Sequence, residues 1–157
     1  MRTAARENGD VATGNERGSG DDLVVFLRAR LAEDVRAAIA TLKPEVVVGS
    51  HRGKPIPRWA VHGSGRGLID EGGGTVRAKD IFPAEAEHVV RHDPARVLRE
   101  IEAKRRIVDA YAEALRIQDG FRETTGEMMR RTAIEMACLA YAVAYADHPD
   151  HREEWKP

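Results

Sequence analysis

Residues 85–111 read EAEHVVRHDPARVLREIEAKRRIVDAY, and the parsing of this stretch decides the fold. Asp93-Pro94 lies in its middle. A residue that precedes proline is pushed out of the helical region, so a short helix opening at Pro83 is expected to stop near His92. The same pair starts the next helix: the Asp93 carboxylate can accept from free N–H groups at its N-terminus, and Pro94 is preset for the first turn. Beyond it, Val97, Leu98, Ile101, Val108, Tyr111, Ala112 and Leu115 form a buried stripe that runs to about Gln118. The stripe is interrupted at Lys104-Arg105, whose aliphatic stems can still cover a core.

Upstream, GDDLVVFLRARLAEDVRAAIATL places Leu23, Phe26, Leu27, Leu31, Val35 and Ile39 at three- and four-residue spacing. This predicts an amphipathic helix capped by Asp21 and ending near Lys43-Pro44. Residues 1–20 are rich in Gly, Asn, Ser and charge, hold little apolar surface to offset ordering entropy, and read as a flexible tail. Downstream, residues 120–125 form a turn into a last long helix. Its Ala133, Ala137, Ala140 and Ala144 offer a small-residue face for close helix contact, and its nearly all-round apolarity marks it as the central element. The chain leaves that helix at Asp147 to Pro149, and Trp155 is expected to fold back onto the surface.

The segment 45–82 differs in character. Glycines and prolines punctuate short β-prone runs, which predicts an antiparallel meander with strands near 58–62, 67–71 and 75–79. HGSGRG, residues 62–67, lacks the Gly-Lys-Ser/Thr ending of a phosphate-binding loop and precedes no helical pattern, so its glycines read as hairpin turns. The resulting fold class is α+β and mostly helical, a small bundle with a minor antiparallel meander, in one globular domain over 21–157 after the 1–20 tail.

Composition bounds the function. In 157 residues, 42% are apolar, 32% charged and 5% aromatic, which describes a water-soluble globular chain whose core is built from Ala, Val, Leu and Ile. A formal net charge of -1 supplies no global field for nucleic acid or an anionic membrane. The most apolar stretch, TAIEMACLAYAVAYA, contains Glu135 and is shorter than the roughly 20 residues a membrane span needs. The single cysteine, Cys138, cannot form an intramolecular disulfide and reads as a buried apolar residue in a reducing compartment. The N-terminus has no hydrophobic run of the secretory type, so the expected location is the cytoplasm.

Three blocks, DDLVVFLRARLAED, HVVRHDPARVLREIEAKRRIVDAY and YADHPDHREEWKP, make the chain resemble a small actinobacterial family of unknown function over roughly residues 21–157. The resemblance implies no activity and no catalytic residues. Two departures from the family pattern are the added N-terminal tail and His151, which stands where an aromatic residue is expected.

Candidate sites follow from the residues. His88 and His92 are four apart, so on a continuous helix both imidazoles face one way and could share a zinc ion, with His148 and its neighbours Asp147, Asp150 and His151 completing the ligand set. No Cys pair or His-Glu-x-x-His pattern accompanies them, and the favoured reading is helix-end packing with no cofactor. Arg96, Arg99, Lys104, Arg105 and Arg106 could touch phosphates. Opposite charges four apart at Glu100 and Lys104, Glu102 and Arg106, and Arg105 and Asp109 favour a solvated helix face instead. Ser50 adjoins His51, but adjacency in sequence is not triad geometry.

The reading that remains is a non-enzymatic binding or adaptor protein. It acts through an unidentified protein partner or through self-association of its helices, with Arg99, Arg105, Arg106 and Trp155 as candidate contacts. A metal-binding protein or metal-dependent enzyme is the alternative, and nucleic-acid binding ranks third.

Overall fold

The computed structural model describes residues 13–62, 67–71, 76–118 and 123–156. Residues 1–12 of the expected tail, 63–66 of the HGSGRG motif and Gly120–Arg122 of the expected turn lie outside the described residues. The fold is α+β and mostly helical: α1 (Thr13–Ala40), α2 (Pro44–His51), β1 (Trp59–His62), β2 (Gly67–Glu71), β3 (Val76–Ile81), α3 (Pro83–Arg91), α4 (Pro94–Gln118) and α5 (Thr125–Ala142). Two short 3-10 helices, Val143–Tyr145 and Glu153–Trp155, complete the chain. Where the sequence points to one globular domain, contacts group the chain into two compact units, one of residues up to Arg30 with Lys104 onward, the other Leu31–Ala103.

In the first unit, Leu23, Val24, Phe26 and Leu27 of α1 are buried with Val108, Tyr111 and Leu115 of α4 and Cys138 and Ala142 of α5. The helix begins at Thr13, eight residues before the expected cap at Asp21. The reason lies in packing. A Cβ on Gly20 would stand 2.9 Å from the Tyr111 hydroxyl and 3.1 Å from a Leu115 methyl, so α1 approaches α4 too closely there for any side chain. Ser19 extends the anchorage by donating from Oγ to Glu154 Oε1 at 2.7 Å. Tertiary contact thus holds a glycine-rich turn in a helix that its propensities disfavour.

In the second unit the buried residues are Leu31, Ala38, Leu42, Ala86, Ala95 and Ile101, together with the Asp93 carboxylate. The sheet has the order β1-β2-β3, antiparallel throughout, with Trp59 opposite Glu71 and His62 opposite Leu68. Its strands fall within two residues of the expected ones. Between β2 and β3, Gly67 pairs with Ile81 and Ile69 with Ala78, so β3 carries one extra residue there. Asp80 adopts φ 56 in this bulge, a left-handed conformation that aspartate tolerates better than most side chains.

Helix α3 packs on β1 and β2 and buries Ala86. Asp93 then ends one helix and starts the next. Its Oδ1 accepts from Arg96 N at 2.7 Å, and its Oδ2 accepts from Arg58 Nε at 3.4 Å. Helix α2 was not foreseen: it opens on Pro44 with Glu45 in the first turn, but none of its residues is buried, so it carries no apolar periodicity. Among the described residues no helix is long and apolar enough to cross a membrane.

Candidate interaction face

Helix α5 begins with a reciprocal cap. Thr124 Oγ1 accepts from Glu127 N at 3.3 Å, while Glu127 Oε2 accepts from Thr124 N at 2.8 Å. The bond from Thr124 N foremost, and a second that the Thr124 hydroxyl donates to Glu127 Oε2 at 2.7 Å, hold the Glu127 carboxyl below its ordinary range. With 3.6 residues per turn, Glu127, Arg130, Arg131 and Glu135 then fall on one half of the helix. Glu135 and Arg131 are turned toward the unit's interior. Arg131 Nε donates to Glu123 Oε1 at 3.1 Å, and the Tyr111 hydroxyl donates to Glu135 Oε1 at 2.8 Å. Burial first, and then this hydrogen bond to a carboxylate, push the Tyr111 phenol up from its ordinary pKa. Cys138, deeper on the same side, is raised to about 11 by burial, with Glu135 adding to the shift. Its thiol is protonated and unreactive at neutral pH.

The opposite half of α5 corrects the expectation that this helix is the central buried element. Met129 is 65% and Met136 66% exposed, and Ala133 and Ala140 are exposed with them, as are Val143 and Ala144 in the 3-10 helix that continues the chain. No charged residue interrupts this face from Thr125 to Ala144. The Thr132 hydroxyl donates to Met128 O at 3.0 Å, so its donor is used within the helix. In a chain with 32% charged residues, Arg131 and Glu135 of α5 turn inward, Glu127 and Arg130 stand to one side, and the apolar atoms of the outer face meet water. The signal was present in the sequence as Met129, Met136 and Val143, seven residues apart. Between α4 and the start of α5 lies a cavity of about 350 Å³, whose lining includes Ala110, Ala114, Ile117, Glu113, Glu123 and Arg130.

The end of the chain does the reverse. Trp155 is 3% exposed and lies 4.8 Å, centroid to centroid, from Phe26 of α1. Tyr145, His148 and His151 present edges to the same Phe26 ring, and the Arg30 guanidinium stands 5.5 Å from its centroid. Arg152 pairs with Asp22 at 2.6 Å. Trp155 is thus docked within its own unit, and the buried indole does not present itself as a partner anchor.

The other candidate residues are placed as follows. His88 and His92 do come together, ring centroids 4.6 Å apart, on the exposed surface at the end of α3. His148 is held in the tail of the first unit, where its Nδ1 accepts from Asp150 N at 3.1 Å. Among the described residues no group of three or more His, Cys, Asp or Glu could hold a metal ion. Ser50 Oγ donates to Val47 O at 2.8 Å, so the hydroxyl is engaged with its own helix.

On α4, Arg99 and Arg106 are exposed and Arg105 is half-buried. The expected charge ladder is rearranged: Glu100 accepts from Arg96 at 2.6 Å, Asp109 pairs with Arg28 at 2.6 Å, and Lys104 stands over the Tyr141 ring. Glu100 keeps a four-residue pairing with a different partner, while Asp109 and Lys104 are engaged by other helices.

No curated protein and no solved structure shows a significant match to the chain. The model of a family of unknown function, DUF6221, matches residues 20–157, a span that opens at Gly20, the close contact of α1 on α4, and includes Trp155. The chain belongs to that family.

Proposed function

We propose that the protein is a non-enzymatic, cytoplasmic binding or adaptor module that works through protein–protein contacts, with the outer face of α5 as its contact surface. One observation carries the reading: an uncharged helix face with two methionines about two-thirds exposed. Flexible, polarizable methionine is a side chain of adaptable binding surfaces, and contiguous apolar patches on an otherwise charged exterior mark interaction sites. The lone buried thiol of Cys138 supports a reducing location. Affinity capture from host lysate after nuclease treatment tests the reading, comparing the wild type with Met129→Glu/Met136→Glu. Recovery of a protein, a second copy of this chain included, that is lost with the double variant is the expected result. Recovery of nothing, or recovery indifferent to the substitutions, overturns it.

The contact of His88 with His92 favours a second reading, a metal-binding protein or metal-dependent enzyme that holds a cation such as zinc through that imidazole pair. Metal analysis of protein purified without a histidine tag tests it. Stoichiometric metal lost on His88→Ala supports it, and metal-free protein ends it.

A further inference from the structure

Resting on the reading of α5 as a contact surface, we propose that its occupant is the same face of a second copy, laid antiparallel across a two-fold axis. The pattern of the face carries the register. Met129, Met136 and Val143 recur every seven residues, and Ala133 and Ala140 follow the two methionines by four, which is the spacing of a helix seam. With the two-fold axis between Met136 and Ala137, Met129 lies opposite Ala144 of the second copy. Met136 then meets Ala137, and Ala133 meets Ala140. Each methionine meets an alanine, and Val143 meets the aliphatic stem of Arg130, so knobs find holes in the same sequence read backwards. A parallel pairing would instead set methionine on methionine and Arg130 beside its own copy.

Charge selects the same arrangement. The face has no charge to repel its own image, so two copies can meet on it without burying an unpaired ion. At its margins stand Arg130 near one end and Asp147 beyond the other, both exposed and neither in an ion pair among the described residues. Helical side chains lean toward the N-terminus of their own helix, so in the antiparallel pair Arg130 leans toward the turn after the second copy's 3-10 helix, the turn that carries Asp147. The symmetry makes two such pairs. An 18-residue helix is about 27 Å long, so its one face covers less than the roughly 800 Å² per partner of a standard stable interface. The dimer is therefore weak and concentration-dependent.

Sedimentation velocity on the full chain, at concentrations spanning about two decades, tests this. The wild type should move reversibly from 17.4 kDa toward twice that mass, and Met136→Glu should stay monomeric with an unchanged circular dichroism spectrum. Arg130→Asp and Asp147→Arg should each weaken the dimer several-fold, and the two together should restore it. A wild type that is monomeric throughout, a dimer that tolerates Met136→Glu, or a charge swap that fails to rescue would each overturn the proposal. If a monomeric wild type still captures a different protein through α5, the binding function stands and self-pairing falls.

Discussion

Two apolar surfaces of the same compact unit are treated in opposite ways. Around Phe26 the chain brings back its own tail, and Trp155, Tyr145, His148 and His151 cover the ring. Along α5 and into the 3-10 helix after it, the chain leaves Met129, Met136 and Val143 uncovered while turning Arg131 and Glu135 inward. Under the proposed reading, the open surface is the one that is buried against another molecule. The contrast separates residues buried in the fold from residues that meet water.

Substitutions at the two surfaces should therefore behave differently. Trp155→Ala removes a buried indole from the Phe26 cluster and should cost about 3 kcal/mol in thermal or denaturant unfolding, whereas Met136→Glu on the open face should stay within about 0.5 kcal/mol of wild type. Equal losses at both positions would erase the contrast. The inner side of α5 can be read chemically. With its pKa raised from 9.0 to about 11, Cys138 should hold about a hundredfold less thiolate than an ordinary thiol, so its alkylation in the folded protein at pH 8 should be slower by at least that factor, and unfolding should abolish the protection. Rapid modification of the native protein would show that α5 lies open on both sides.

Gly20→Ala adds a methyl where the Tyr111 hydroxyl already stands at 2.9 Å, and about 1–3 kcal/mol of destabilisation is expected from denaturant titration. A neutral result would mean that α1 can lift from α4 freely. The smallest effect concerns the start of α5. The folded Glu127 carboxyl titrates below its ordinary value of 4.5, so its contribution is complete above that pH and fades as pH falls through the depressed folded value. Acid titration of helicity should show a shallow loss below pH 4.5 that Glu127→Gln lacks.

What the sequence made legible was local. Asp93-Pro94 carries its own chemistry, stop and cap within two residues, and the glycines that bound the strands placed the meander. The start of α1 was hidden because Gly20 belongs to a helix only through Tyr111, far along the chain. Helix α2 was hidden because it buries no residue fully, so no apolar spacing betrays it. In α5 the apolar content was plain, but which half would meet protein depended on Glu123, Tyr111 and the direction of four charges. The same holds for the histidines. The spacing of His88 and His92 foretold their contact, while the surroundings of His148 came from the packing of the tail.

The Ser19 to Glu154 hydrogen bond closes a separation of 135 residues, and the aromatic cover on Phe26 closes one nearly as long. During synthesis at roughly 5–20 residues per second, α1 waits on the order of ten seconds before the segment that will shield it leaves the ribosome. Through that interval the Phe26 side of α1 lacks its aromatic cover. Segments made long after α1 are the ones that cover it.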